Sequence, residues 1–301
     1  MTRKGRTAHE LENRKRGEED FLTILDLMDR SDLSASTLEP TPATSWQTHL
    51  KAGDASAALQ RYRNSETPDG EVLEALGALN EVRLYMRAKG WAKAQRALTR
   101  VETPPRSVAE AANWDEVKAQ LSVLESTSKL LDKHEAHAAL ERLESVNAPL
   151  LLAEVETQRG TAHIFLNDSE RARLSFTRAL GHDPKHYRAL TNKGNLSLEE
   201  NNVDEAIQAY EAALRLNEDF ANAHHNLGVA YRRKGKIDKS VRSIRRAQKA
   251  MRRQDAEEAK GTLSQSFAGL NGRLGGRGLR YALYGLGALL LLWWLRSQGM
   301  L

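Results

Sequence analysis

A chain of 301 residues, 40% hydrophobic and 28% charged, can bury one large core or two ordinary ones, and its mean hydropathy of −0.59 belongs to a largely water-soluble polypeptide. The absence of cysteine excludes disulfides, thiolate catalysis and Cys-based zinc or iron–sulfur sites. The net charge of +5 is unevenly placed: residues 231–301 hold sixteen Lys/Arg against four Asp/Glu, a balance of +12 that leaves −7 for residues 1–230, so an anionic partner belongs to the C-terminal quarter.

The N-terminal residues 1–30 begin with MTRKGRTAHELENRKRGEED, which has no apolar run and predicts no cleaved secretory signal. The following EEDFLTILDLMDR places Phe21, Leu25 and Met28 on one helical face, beside Leu22 and Ile24. Such an amphipathic helix either packs on the first helix pair or serves as a docking peptide, for a partner or for the chain's own groove. Residues 31–45 are rich in Ser, Thr and Pro without periodicity and read as a linker.

From 46 to 152 the pattern is one of degenerate helix pairs. Pro68, Pro104/Pro105, Pro149 and Pro184 mark boundaries between pairs, while Gly53, Gly90 and Asp132 to His134 mark turns within them. Ser107 to Leu131 is too long for an ordinary first helix, which predicts a longer helix or an insertion there.

Residues 153–254 repeat themselves. Gly160, Gly194 and Gly228 are 34 residues apart, and the same step links Ala172, Ala206 and Ser240; Phe176, Tyr210 and Ile244; and Ala179, Ala213 and Ala247. Agreement of four columns predicts three helix–turn–helix units, 153–186, 187–220 and 221–254, with turns near Asn167, Asn201/Asn202 and Gly235. The small residues permit close approach of paired helices, with Tyr210 filling the space beside them.

These units, best seen in YRALTNKGNLSLEENNVDEAIQAYEAALRLNEDF, resemble tetratricopeptide (TPR) repeats. They depart from that pattern where Glu218 and Arg252 replace the proline kept as Pro184, and where His163 and Ser197 replace the aromatic kept as Tyr231. The resemblance implies an all-α helical-repeat solenoid whose first helices line a peptide-binding groove. By resemblance, Thr157, Thr161, Asn192, Asn195, Asn222 and Asn226 face that groove, where an Asn amide can donate and accept together against a peptide backbone. The family's carboxylate clamp needs Lys and Arg at several of these places, so an acidic chaperone tail is not the expected ligand.

The last unit contains YRRKGKIDKSVRSIRRAQKAMRRQD, with eleven basic residues between Arg232 and Arg253. Val241, Ile244 and Met251 keep a core spacing, while Arg242, Arg246, Lys249 and Arg253 form a basic stripe flanked by Arg245 and Arg252. This stripe suits anionic membrane lipid; nucleic acid is the alternative, although aromatic residues for base stacking are missing after Tyr231. The linker 255–278 is basic and Gly-rich, and its GRLGGRG lacks the context of a phosphate-binding loop.

Residues 279–296 form the one long apolar stretch. Fifteen uncharged residues between Arg280 and Arg296 would rise about 22 Å as a helix, short of a hydrocarbon core of about 30 Å. Tyr281 and Tyr284 at one end, Trp293 and Trp294 at the other, and flanking Arg280 and Arg296 that can snorkel, nevertheless predict a transmembrane helix. Only 297–301 follow it, so the expected topology is a C-terminal tail anchor with the repeats in the cytosol. Gly285, Gly287 and Ala288 would permit homodimerisation.

His134/His137 and His182/His186 have helical spacings but no full metal motif, and no nucleophile–base or paired-carboxylate arrangement stands out. The sequence therefore predicts no enzyme, metal site or cofactor. It predicts a membrane-tethered adaptor that binds protein or peptide in its groove, with a nucleic-acid or ribonucleoprotein binder as the alternative.

Overall fold

A computed structural model describes residues 45–257 and 259–260. The segments 1–44 and 261–301 lie outside the described residues, and with them the N-terminal amphipathic stretch and the membrane-interface set Arg280, Tyr281, Tyr284, Trp293, Trp294 and Arg296. The chain divides into two compact units, 1–244 and 245–301. Among the described residues there is no strand, and no helix is long and apolar enough to cross a membrane.

The first unit runs α1 (Trp46–Lys51), α2 (Ala55–Arg63), α3 (Gly70–Arg87), α4 (Trp91–Arg100), α5 (Arg106–Ala112), α6 (Trp114–Asp132), α7 (Ala136–Leu143), a single 3₁₀ turn (Pro149–Leu151), α8 (Leu152–Phe165), α9 (Ser169–His182), α10 (Tyr187–Glu199), α11 (Val203–Leu216) and α12 (Ala221–Arg233). Residues 237–244, here α13, close it.

One turn, used six times, makes these helices into pairs. A residue with left-handed backbone ends the first helix of each pair: Gly53 (φ 82°), Lys89 (54°), His134 (62°), Asn167 (57°), Asn201 (65°) and Gly235 (75°). The next residue's N–H then donates to a carbonyl five residues back: Asp54 to His49, Gly90 to Tyr85, Glu135 to Leu130, Asp168 to His163, Asn202 to Ser197 and Lys236 to Tyr231, at 2.7–3.0 Å. This is the Schellman arrangement, which satisfies carbonyls that the helix end would leave orphaned. Asp54 and Asp168 then cap the second helix, each side chain accepting from the N–H three residues on. The degenerate N-terminal pairs are therefore built like the regular C-terminal ones.

The turn residues are 36, 45, 33, 34 and 34 apart, and the long interval holds the insertion. Ser107 to Leu131 is not one helix but α5 and α6, broken at Asn113, whose own φ is 52°.

In the last three pairs the glycine column does what its spacing predicts. A Cβ on Gly160 would lie 2.5 Å from the Phe176 ring, one on Gly194 2.8 Å from Tyr210, and one on Gly228 2.7 Å from Ile244. The second helices present small residues to the same contact: Ala172, Ser175 and Ala179 in α9, and Ala206, Ala209 and Ala213 in α11, all buried.

The apolar residues of the basic stripe lie elsewhere than their spacing predicts. Val241 and Met251 are not core residues but 42% and 54% exposed, and Ile244 is half-buried. The small column continues instead through Ser240 and Ser243 in α13, while Ala247 and Ala250 are buried in the second unit. The packed face of these second helices selects small side chains because the backbones lie close, so large apolar residues fall beside it.

The largest core runs without a break from Leu50 through Leu79, Leu98, Leu121, Leu124 and Leu151 to Val155. The regular repeats thus continue the packing of the degenerate ones.

Two glycine-to-alanine variants test this packing by opposite signs in urea denaturation. Gly77→Ala, where the added Cβ meets nothing within 4 Å, should stabilise by up to about 1 kcal/mol through helix propensity. Gly194→Ala gains the same propensity but should lose about 1–3 kcal/mol to overpacking against Tyr210.

Candidate binding face and its charged edge

Helices α8, α10 and α12 share one face, and the structure places most of the sequence-predicted groove residues there as rungs between neighbours. The Thr161 hydroxyl in α8 accepts from the Asn192 amide in α10 at 3.5 Å, and 34 residues on the Asn195 amide oxygen accepts from Asn226 in α12 at 2.8 Å. The Tyr210 hydroxyl also donates to that oxygen, at 2.8 Å. Burial pushes the Tyr210 hydroxyl well above the usual tyrosine range, so it stays protonated and remains a donor.

The six candidates are not equivalent. Thr157 is fully buried and its hydroxyl donates to the Ala153 carbonyl at 2.7 Å, so it is closed to a ligand, as β-branched hydroxyls inside helices often are. Thr161 spends its proton on the Thr157 carbonyl at 2.9 Å. Asn195 has its oxygen engaged twice, although its side chain is half-buried. Asn192 and Asn226 are half-buried, and Asn222 is exposed. The reachable polar surface is therefore Asn192, Asn222 and Asn226.

At the N-terminal edge of this face lies a charged cluster that sequence reading did not single out. Glu154 at the start of α8 is completely buried. Its carboxylate receives Arg188 Nη1 at 3.1 Å, the Gln158 amide at 3.0 Å and the His186 ring at 3.2 Å. Arg188 also donates to the Met86 carbonyl at the end of α3, 3.2 Å away.

Beside it, Asp183 in the turn before α10 receives Arg83 Nη2 at 3.1 Å and Arg87 Nε at 2.7 Å, both from α3. Arg83 reaches on to Asp54 at 2.6 Å. Three carboxylates and three guanidinium groups thus tie α2 and α3 to the turn and first residues of α10, about a hundred positions away.

Burial alone would raise the Asp183 carboxyl pKa, but the charges of Arg87 and Arg83 and the Arg87 hydrogen bond override it and hold the group below its ordinary value. Glu154 behaves alike: burial pushes upward, and Arg188, His186 and Gln158 win downward.

The basic candidates sit differently. Arg242 in the first unit is exposed, as are Arg245, Arg246, Lys249, Arg252 and Arg253 in the second. Among the described residues no three His, Cys, Asp or Glu side chains gather to hold a metal. His134 and His137 are exposed, and His134 stacks on Phe165 with centroids 4.5 Å apart.

Similarity to known families falls on the stretch that holds the Asn195–Asn226 rung. Residues 194–235 match a family model described as TPR repeat, and residues 221–250 match one described as tetratricopeptide repeat. Residues 194–250 carry TPR repeats. The two matches span 57 residues from Gly194; α8 and α9 repeat the same columns outside them.

Among solved structures, a crystal structure of MamA is 20% identical, covering 57% of this chain and 95% of that one with a TM-score of 0.38. A second MamA crystal structure is 19% identical over 61% and 94%, with a TM-score of 0.37. The crystal structure of YrrB, titled a TPR protein with an unusual peptide-binding site, is 17% identical over 66% and 93%, with a TM-score of 0.35. No curated protein sequence matches the chain.

The charged edge makes a thermodynamic prediction. A carboxyl held below its unfolded value stabilises the fold above that value, and the contribution is lost as pH falls through the folded pKa. Stability should therefore drop on acidification below about pH 4. Asp183→Asn, which leaves Arg83 and Arg87 facing an amide, should cost about 3 kcal/mol at pH 7 and flatten that acid limb in urea melts. A variant as stable as wild type with an unchanged limb would show that the cluster contributes nothing.

Proposed function

We propose that this protein is an adaptor, not an enzyme: its TPR repeats bind a protein or peptide across the α8–α10–α12 face, and residues 279–296 tether them to a membrane with the repeats in the cytosol. The observation that carries the binding part is the pattern of rungs. The Asn195 oxygen accepts twice and Asn192 and Asn226 each give one amide N–H to a rung, which leaves all three half-buried and Asn222 exposed on the same face. An amide so placed can pair with a peptide backbone without reading its side chains.

The tether rests on sequence: an uncharged stretch bounded by arginines, with aromatic residues at both ends. Exposed Arg242, Arg245, Arg246, Lys249, Arg252 and Arg253 suit an anionic lipid surface beside such an anchor, each contributing on the order of 1 kcal/mol near the headgroups.

Two experiments test the parts separately. On fractionation, the intact chain should stay with membranes through a high-salt wash, and a chain ending at Gly269 should move to the supernatant. An intact chain in the supernatant removes the tether and leaves the groove untouched. For the candidate binding face, Asn222→Arg, at the exposed position that makes no rung, should lower recovery of co-purifying protein at least fivefold without changing Tm, and unchanged recovery would place binding elsewhere.

A further inference from the structure

Among the described residues, the last helix pair leaves an apolar shoulder uncovered, and its periodicity says what kind of element fits. In α11, Val203 and Ile207 pack with Tyr210 against Leu227, Ala230 and Tyr231 of α12, the first helix of the next pair. One repeat earlier the same position is Arg173, which pairs with Glu200 just past the end of α10. These positions therefore face the following first helix. Their equivalents 34 residues on are Ile237 and Val241, 57% and 42% exposed, beside half-buried Ile244. The chain does not turn back in register to supply a fourth first helix: residues 251–257 are helical, where the two preceding units turn at 183–186 and 217–220.

The surroundings of this shoulder select the charge of its occupant. Lys236, Lys239 and Arg242 are exposed, Lys234 is paired with Asp204 of α11, and Asp238 is the one acid among residues 234–242. A second copy placing its own shoulder here would oppose like charges. A helix with apolar residues at three- and four-residue steps and acidic flanks would meet both needs at once.

The chain contains such a sequence. EEDFLTILDLMDR carries Phe21, Leu25 and Met28 at helical spacing together with Glu18, Glu19, Asp20, Asp26 and Asp29, and no basic residue before Arg30. The tether, residues 31–45, reaches about 50 Å when extended. Its far end is not remote from the repeats, because Asp54, nine residues on, contacts Arg83, which contacts Asp183 at the turn into α10. Tethering also gives the segment an effective concentration in the mM range, well above that of a second copy in dilute solution.

We propose that residues 18–30 dock in cis as an amphipathic helix on the Ile237–Val241–Ile244 shoulder, completing the array as a detachable cap.

Because the chain has no cysteine, the test needs no background removal. In the full-length protein, Leu25→Cys combined with Val241→Cys should form a disulfide within one chain, seen as a faster-migrating monomer on a non-reducing gel. It should form at least ten times faster than Leu25→Cys combined with Leu174→Cys, a control position 50% exposed on α9. Adding Asp26→Lys and Asp29→Lys should slow formation of the disulfide between positions 25 and 241 at least fivefold. Equal rates at positions 241 and 174, a product that is only dimeric, or indifference to the two charge changes would each overturn docking in cis by charge and apolar fit.

Discussion

The backbones of paired helices approach so closely at Gly160, Gly194 and Gly228 that one added carbon would press on Phe176, Tyr210 or Ile244. That approach sets what each second helix can present: Ala172, Ala206 and Ser240 in one column, and Ser175, Ala209 and Ser243 in the next. With the packed stripe given over to small side chains, larger apolar residues move to the neighbouring position and become the contact with the next pair, as Ile207 does with α12. The array thus grows through that position, which is apolar at Ile207 and charged at Arg173, where it pairs with Glu200 past the end of α10.

Termination follows from the same constraint. The last pair keeps Ile237 and Val241 although no described first helix follows, and it surrounds them with lysine and arginine. At the other end the N-terminal pairs are held by charge as well as by apolar packing: Arg83 and Arg87 reach the turn ahead of α10, and Arg188 reaches back to the end of α3. Buried ion pairs are weak contributors to net stability but strict about partner and place. This cluster therefore serves mainly to fix where the degenerate pairs sit against the regular ones.

Much of the fold was legible because its two recurring devices leave marks in sequence. The glycine column and the small-residue columns are explicit at a 34-residue step, and Gly53, Asn167, Asn201 and Gly235 are residue types that accept a left-handed backbone. Lys89 and His134 hold the same conformation without that signature, so the upstream turns are legible only through nearby Gly90 and the Asp132 to His134 stretch. The break at Asn113 has a residue type that accepts this conformation, but it splits an otherwise continuous helical pattern where no repeat column marks a turn. The candidate face was half legible: column position located Asn192, Asn195 and Asn226 on facing helices, but the bonds that engage the Asn195 oxygen and close Thr157 depend on atomic placement. The Glu154–Arg188 and Asp183–Arg83/Arg87 contacts join residues 34 to 100 positions apart. The one hint of them was an acid inside the apolar run LLAEVE and another beside Pro184.

What remains central is whether the face shared by α8, α10 and α12 is where this protein meets its ligand. The direct measurement is site-specific photocrosslinking in intact cells, with the reactive residue at Asn226 on that face or at Leu174 on α9. A discrete adduct is expected from Asn226 and none from Leu174. Adducts of equal yield from both positions, or none from Asn226, would contradict it.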